Sequence, residues 1–330
     1  MFSLRVGLDL GSANVRLNLD GKIAVDEPSL LVVNCNSREV RLIGQKALEV
    51  RGKSIPGFEA LYPFEGGRVV NLAAAEALLR YVIKKASRFR RCRLRFALPS
   101  AAGSVDRICL ERAAQLAGAA SVEFVSSPLA AAIGAGIDMT LPGGILIIDI
   151  GEYKTEIAVL SAGDIIDSET SAAAGREFDS SIARAVRGAC KMSVMPLTVE
   201  KLKCEIASAV PLNSPKSMKV SGLDLVSGSP CEHEISSELV SAALADPLNE
   251  IVRSAAELLW RIPCELSADL CENGAVLVGG GAKLFGIGQY LQEHLGIPVK
   301  VADSPEYCVA LGCSSVAPVK VDRAGEERRG

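Results

Sequence analysis

From Leu4 to Leu10 apolar and polar positions alternate (Leu-Arg-Val-Gly-Leu-Asp-Leu), and the run breaks into Gly11-Ser-Ala-Asn14. This pattern predicts a strand that ends in a tight turn. Val15–Leu19 and Lys22–Val25 flank Asp20-Gly21, the dipeptide of a two-residue hairpin. A further strand is expected from Glu27-Pro-Ser29 through Val33, and another over Arg38–Ile43. Apolar residues recur at helical spacing from Ala73 to Lys85, strand alternation returns over Arg93–Leu98, and a helix over Val105–Gly118 is stopped by its glycine. A short strand at Val122–Val125 and an alanine-rich helix over Pro128–Gly136 follow.

The opening pattern then returns. Gly144-Ile-Leu-Ile-Ile-Asp-Ile-Gly151 is again a strand that ends in Asp, a hydrophobic residue and Gly, and Thr155–Leu160 with Asp164–Glu169 continue it as a meander. Asp9-Leu10-Gly11 and Asp149-Ile150-Gly151 stand 140 positions apart, so the simplest reading is an internal duplication of about half the chain. A third glycine-bounded strand, Ala275–Val278, leads into Gly279-Gly-Gly281 and a helix expected to run through Leu295. The architecture this implies is two α/β halves facing a cleft, with a frayed charged tail over 321–330.

Composition narrows the function classes. The 330 residues suggest about two domains, and 49% hydrophobic content excludes a disordered chain. Thirty-six Lys and Arg against 39 Asp and Glu give a net charge of −3, which disfavours a nucleic-acid partner because phosphate neutralisation needs surplus cations. Aromatics at 4% offer few stacking platforms for bases. No apolar run approaches the roughly 18–20 residues of a membrane-spanning helix, and Met1-Phe-Ser-Leu-Arg5 lacks the features of a signal peptide. The ten cysteines stand singly, without Cys-x-x-Cys, and His233 and His294 are the only histidines. Zinc spacing is absent, and the thiols read as reduced core residues of a cytoplasmic protein. His294, near a helix end, reads as a cap, and neither histidine is assigned to catalysis.

Three turns carry candidate chemistry. An Asp at a strand tip, such as Asp9, can face a hydrated divalent cation, and the Gly11-Ser12-Ala13-Asn14 turn offers N–H groups and a hydroxyl to a phosphate. The plain alternative is a hairpin with an acidic shoulder. Asp149-Ile-Gly151 supplies a second strand tip of the same kind, so that two could bracket one polyphosphate. Gly279-Gly-Gly-Ala-Lys283 would let backbone approach a ligand just before a helix, or would serve only as a flexible connection. Taken in order, the three turns favour a nucleotide cleft.

Asp9-Leu-Gly-Ser-Ala-Asn14, Glu27-Pro-Ser29, Pro128-Leu-Ala-Ala-Ala-Ile-Gly-Ala-Gly136, Asp149-Ile-Gly151 and Gly279-Gly-Gly-Ala282 together resemble MreB, the bacterial actin family. Leu225-Val-Ser-Gly-Ser-Pro230, Ile235-Ser-Ser237, Glu265-Leu-Ser-Ala-Asp269 and Pro305–Gly312 extend the resemblance over about residues 4–316. Single motifs are shared with actins, sugar kinases and DnaK-type chaperones; the strings between them point to MreB. The resemblance implies an actin-like ATPase fold of α/β class, with two duplicated ribonuclease-H-like domains around a nucleotide cleft. Domain I would be 1–140 with 305–320 (small subdomain about 30–65), and domain II 141–304 (small subdomain about 182–240).

The resemblance further implies ATP and Mg²⁺ as cofactors. Asp9 and Asp149 match the acids that hold Mg²⁺ through water, Gly11, Ser12, Ala13 and Asn14 the first phosphate loop, and Gly151 the start of the second. Ala174-Gly175 through Asp179 matches the connecting turn before the next helix, Glu200 and Lys203 the ribose and adenine contacts, and Gly279, Gly280 and Gly281 the adenosine loop. It implies head-to-tail self-assembly into antiparallel double filaments on the inner membrane face, coupled to the cell-wall elongation machinery.

The departures concern catalysis. The family's second loop reads Asp-Ile-Gly-Gly-Gly-Thr-Thr, but here it is Asp149-Ile-Gly-Glu-Tyr-Lys-Thr155. Any left-handed backbone needed at Glu152 or Tyr153 would be strained, and Glu152 would set an anion beside a phosphate at about 4 kcal/mol for contact at moderate dielectric. Lys154 could offset this by reaching a phosphate itself. Where the family has Glu-Glu-Pro, with its second Glu orienting the attacking water, this chain has Ser126-Ser127-Pro128. Ser127 and Lys154 thus occupy catalytic positions with unsuitable chemistry, and the expectation is slow or absent hydrolysis with weakened nucleotide binding.

The basic run Lys84, Lys85, Arg88, Arg90, Arg91, Arg93 and Arg95, with Phe89 and Phe96 interleaved, is either a solvated shoulder or a site of peripheral contact with anionic lipid. With Met1-Phe2-Ser-Leu4 so short, such anchoring would be weak. The rival readings are a non-polymerising actin-fold adaptor with a degenerate site, and a sugar or metabolite kinase, for which no catalytic Asp or sugar pocket is identifiable.

Overall fold

A computed structural model describes residues 4–53, 55–86 and 92–316. Met1–Ser3, the predicted tail over 321–330, and Arg88, Phe89, Arg90 and Arg91 of the basic run lie outside the described residues. The chain divides into two compact units, Met1–Met139 with Tyr307–Gly330, and Thr140–Glu306.

The first unit begins with β1 (Leu4–Leu10), β2 (Asn14–Leu19) and β3 (Lys22–Pro28), then β4 (Leu31–Asn34), β5 (Val40–Ile43), the short α1 (Gln45–Leu48), β6 (Phe58–Leu61), β7 (Phe64–Glu65) and β8 (Arg68–Val69). It continues with α2 (Leu72–Ala86), β9 (Cys92–Leu98), α3 (Ser104–Ala117), β10 (Ser121–Ser126) and α4 (Ser127–Gly134). Its main sheet has the order β10-β9-β1-β2-β3, with the β1–β3 meander antiparallel and β9 and β10 parallel to β1. A smaller sheet, β5-β4-β6, stands apart from it. Asp20 and Gly21 both have positive φ, 51° and 79°, as the predicted hairpin turn requires. The alternation read from the sequence buries Val6, Leu8 and Leu10 of β1 in one core with Leu78, Leu79 and Val82 of α2.

The second unit repeats this plan with β11 (Gly144–Ile150), β12 (Thr155–Ser161), β13 (Asp164–Ser171), α5 (Gly175–Cys190), β14 (Met192–Ser193), α6 (Pro196–Ile206), β15 (Ser217–Asp224), β16 (Pro230–Ser236), α7 (Ser237–Ala242), α8 (Ala245–Leu259), α9 (Cys264–Asn273), β17 (Ala275–Val278), α10 (Ile287–Leu295) and β18 (Val299–Val301). The main sheet order is β13-β12-β11-β17-β18, which is the first unit's order strand for strand. A separate sheet, β14-β15-β16, again accompanies it. Leu146, Ile148 and Leu277 of the sheet pack with Phe178 of α5 and Leu202 of α6 in one core. The last described element is α11 (Cys308–Gly312), which belongs to the first unit. No helix of the described residues is long and apolar enough to cross a membrane.

Several expectations are corrected. Glu27 and Pro28 do not start a new strand. They end β3, because the ladder with β2 runs on to Asn14↔Pro28, and the next strand starts at Leu31. The helix after Gly279–Gly281 is interrupted: Gly280–Lys283 form a 3₁₀ turn, and α10 begins only after Gly286, whose φ of 75° no α-helix accepts. The cysteines are not mainly core residues. All ten are free thiols, but only Cys92, Cys308 and Cys313 are buried, whereas Cys35, Cys204, Cys264 and Cys271 are exposed.

Candidate functional site

In the first unit Leu10 pairs with Val15, which leaves Gly11–Asn14 as a four-residue turn at the tip of β1 and β2. The turn is tight enough that a Cβ on Gly11 would stand 2.6 Å from the Asn14 carbonyl oxygen. Buried Ser29 holds it from below: its Oγ donates to the Gly11 carbonyl at 2.7 Å, and its N–H donates to that of Ala13 at 2.8 Å. Ser12 Oγ accepts from the Gly66 N–H at 2.9 Å.

Asp9 lies opposite Arg16 in the β1–β2 ladder, and Arg16 lies opposite Asp26 in the β2–β3 ladder, so three charged residues form one row across the sheet. Arg16 Nη1 is 3.9 Å from Asp9 Oδ2 and its Nε 3.4 Å from Asp26 Oδ1, with the guanidinium 5.4 Å above the Tyr307 ring. Asn14 Nδ2 donates to Asp26 at 2.9 Å and the Tyr307 hydroxyl donates to it at 3.1 Å. Enclosure by protein pushes the Asp9 carboxyl above its ordinary range; Arg16 opposes that rise and Asp26 adds to it. Neither Arg16 nor Asp26 stands out in the sequence: the Asp20-Gly21 turn alone would set Arg16 opposite Val25, and the register shift between Leu17 and Asn18 brings Asp26 there instead. At the same edge of this sheet, where β10 ends level with the tip of β1, Ser126 caps α4 by accepting from the Leu129 N–H at 3.4 Å, and Ser127 is the buried first residue of that helix.

The second unit carries a turn of equal length. Ile150 pairs with Thr155, and the Gly151 N–H donates to the Lys154 carbonyl at 3.0 Å. The strain expected of Glu152 and Tyr153 does not occur. Among the described non-glycine residues only Asp20, Arg38, Ala162 and Lys191 have positive φ, so Glu152, Tyr153 and Lys154 sit in ordinary backbone conformations. Lys154 turns back along its own hairpin, with Nζ 3.9 Å from Oε2 of buried Glu156, the residue directly opposite Asp149. Tyr153 lies against Arg176, whose guanidinium is 4.5 Å from the ring centre.

Gly175 belongs to no connecting turn; it is the first residue of α5. Its N–H donates to the Gly151 carbonyl at 3.0 Å and the Arg176 N–H donates to that of Glu152 at 2.7 Å, so the second turn is fastened to the start of the helix. Glu200 and Lys203, three apart, share a face of α6. Lys203 Nζ is 2.9 Å from Asp179 Oδ1 and donates to the Gly175 carbonyl at 3.4 Å. Burial works against the Lys203 charge, but Asp179 and then Glu152 outweigh it, and the ammonium pKa is raised.

The third turn closes on the same strand tip. Asp149 is in register with Val278, the last residue of β17. Gly279 follows with φ 84°, and a Cβ there would collide with Asp149 Oδ1 and the Ile150 carbonyl. A Cβ on Gly281 would collide with the Ile150 side chain, whereas one on Gly280 would meet nothing within 4 Å. The loop is anchored by Gly279 N–H donating to the Pro305 carbonyl at 2.8 Å and by an ion pair of Lys283 with Glu306. Asp149, Gly151, Gly175, Lys203 and Gly279–Gly281 are therefore gathered at the tip of β11 in one unit, and Asp9 with Gly11–Asn14 at the tip of β1 in the other. Among the described residues no group of three or more His, Cys, Asp or Glu forms a metal cage.

Two units with the same mixed five-stranded sheet, each with a strand-tip Asp and a four-residue turn, define an actin-like α/β fold. The double helical filament structure of MamK has this fold, with a TM-score of 0.81 at 20% identity over 95% of this chain and 98% of that one. The chain belongs to the MreB/Mbl protein family, whose model matches residues 3–323. It is 35% identical over 316 residues to the cell shape-determining protein Mbl of Bacillus subtilis, covering 94% of this chain and 95% of that protein. It is 34% identical over 321 residues to the cell shape-determining protein MreB of Escherichia coli, covering 94% and 92%. The crystal structure of MreB5 of Spiroplasma citri bound to AMPPNP superposes with a TM-score of 0.91 at 32% identity, over 94% of this chain and 95% of that one.

Proposed function

We propose that this chain is an MreB-type cytoskeletal filament protein of the cytoplasm that binds ATP with Mg²⁺, hydrolyses it slowly, and serves cell shape by organising the cell-wall elongation machinery. The observation that carries nucleotide binding is the seating of the Gly279–Gly281 loop on Asp149, beside Gly151, the start of α5 and Lys203. Crowded backbone at strand tips, with N–H groups and a helix start nearby, is the environment phosphates take. Gly11, Ser12, Ala13 and Asn14 supply the matching turn of the first unit, and Glu200 with Lys203 the sugar and base contacts. The solved Spiroplasma relative with AMPPNP supports this reading, as does a second structure of it with ADP.

Asp9 and Asp149 are the residues that would hold Mg²⁺. Carboxylate oxygens suit a hard cation that keeps several of its waters, and the raised proton affinity of Asp9 marks a carboxylate that a cation would stabilise. When bound, the ion would neutralise phosphate charge. The chain's own contribution is to hold the two carboxylates and their turns, and Ser127 offers no group basic enough to activate water at neutral pH. The MamK filament supports self-association in this fold. The small sheets β5-β4-β6 and β14-β15-β16 are the smaller subdomains of the two domains.

Peripheral membrane contact through the basic run stays part of the proposal, its Arg88, Arg90 and Arg91 lying outside the described residues. Lys85 pairs with buried Glu27 and Arg95 binds Glu123 at 2.6 Å and the carbonyls of Ser314 and Val316; Lys84, Lys85 and Arg93 are exposed among the described residues. Titration calorimetry with ATP and Mg²⁺, followed by pelleting and electron microscopy of the same sample, tests the proposal: it expects measurable binding and ATP-dependent filaments. Binding without filaments would favour the non-polymerising adaptor; no binding would remove the nucleotide reading.

A further inference from the structure

The turn at the tip of β11 and β12 carries an anion of its own. A Cβ built on Gly175 would lie 2.7 Å from Glu152 Oε2, which places the Glu152 carboxylate against the first residue of the sixteen-residue helix α5. The contact is not a chance rotamer at the end of a loose loop. The Glu152 carbonyl is bonded to the Arg176 N–H and the neighbouring Gly151 carbonyl to the Gly175 N–H, so the backbone that carries the side chain is pinned to the helix start. The helix dipole favours a negative charge at that position. Lys203 reaches the same place from α6, donating to the Gly175 carbonyl, and its ammonium senses the charge of Glu152 as well as that of Asp179. Nearby Lys154 is turned toward Glu156 and Arg176 toward Tyr153.

We propose that Glu152 is a built-in competitor of the nucleotide's phosphates, which makes this site prefer the nucleotide with fewer phosphate charges, a diphosphate over a triphosphate. This rests on the nucleotide reading above and specifies it. A carboxylate at the α5 start occupies the lysine-flanked position beside Gly175 and Lys203 that a phosphate would otherwise take. Every bound nucleotide must work against that charge, and one with an additional phosphate works against it more, because repulsion scales with the product of the charges.

The test measures dissociation constants for MgADP and MgAMPPNP on the full chain and on E152Q and E152G, the non-hydrolysable analogue removing any contribution from turnover. Neutralising the carboxylate in E152Q is expected to tighten AMPPNP about tenfold more than ADP, equivalent to about 1.4 kcal/mol. E152G should shift the ratio in the same direction. In the unmodified chain the preference for ADP should shrink as salt is raised from 50 to 500 mM, and in E152Q this salt dependence should be lost. The salt series needs no substitution, so it decides the matter even if a variant folds poorly. An ADP/AMPPNP ratio unchanged by E152Q, by E152G and by salt overturns the inference while leaving nucleotide binding intact. Absence of binding by either nucleotide in all three proteins overturns the nucleotide reading itself, and the inference with it.

Discussion

Gly279 shows how one residue can bind backbone strain to chemistry. Its φ of 84° and the collision of any Cβ with Asp149 leave no other residue an unstrained place there. Gly279→Ala is expected to lower stability by about 1–3 kcal/mol, the usual cost of a residue forced into a left-handed conformation, and to weaken nucleotide binding by displacing Asp149. Urea unfolding and titration calorimetry read the two effects separately. Cys313 presents a different residue-level case. It is buried beneath β1, with Sγ 3.7 Å from the Leu8 carbonyl and 3.6 Å from that of Arg95, and enclosure pushes its thiol up to about 12. An unfolded thiol ionises near about 8.5. The folded chain therefore holds its proton where the unfolded chain releases it, so stability is unaffected below about pH 8.5 and falls progressively from there toward pH 12. A stability–pH curve should show that decline, and Cys313→Ala should flatten it.

Among the elements, β3, α1 and α2 are joined by one buried carboxylate. Glu27 accepts from the Gln45 N–H at 2.9 Å at the start of α1, and from the Tyr81 hydroxyl at 3.4 Å and Lys85 on α2. A four-residue helix has too few internal bonds to stand alone, and this carboxylate is what fixes α1 to the sheet. Glu27→Ala should cost about 1–3 kcal/mol, the range for leaving buried donors unsatisfied. Glu27→Gln should cost less, since an amide oxygen still serves Gln45. Guanidinium unfolding midpoints of the two variants give the comparison. The same network pairs Lys85, which reads in the sequence as part of a basic stripe, with Glu27 while its side chain stays half exposed.

For the molecule as a whole, the proposed function predicts a slow filament cycle, because Ser127 stands where an acid would orient water. Ser127→Glu places an acid in the first turn of α4, where the helix dipole favours it, and restores a group able to orient water. Phosphate release should rise about a hundredfold or more, the usual range for gaining a positioned acid–base group, with filament lifetime in ATP shortened accordingly. A coupled phosphate assay alongside pelleting measures both. If the unmodified chain already releases phosphate at the variant's rate, slow hydrolysis is excluded.

The repeated Asp-hydrophobic-Gly strand ends, the Asp20-Gly21 hairpin and the glycine stop of α3 were all readable along the chain, because each rests on backbone sterics and on side-chain period within a few residues. That is why the strands of the first five-stranded sheet, four of the five in the second and the turns that follow β1, β11 and β17 could be drawn from the sequence, whereas the short β18 (Val299–Val301) could not. Packing decided what lies further apart. The Asp9–Arg16–Asp26 row depends on ladder register, and Ser29 beneath the first turn depends on how β4 follows β3. Glu152 at the start of α5, Lys154 turned to Glu156 and the surface positions of four cysteines depend on which elements meet in three dimensions. A residue's type states the charge it can carry; only the tertiary contact states which other charge it answers.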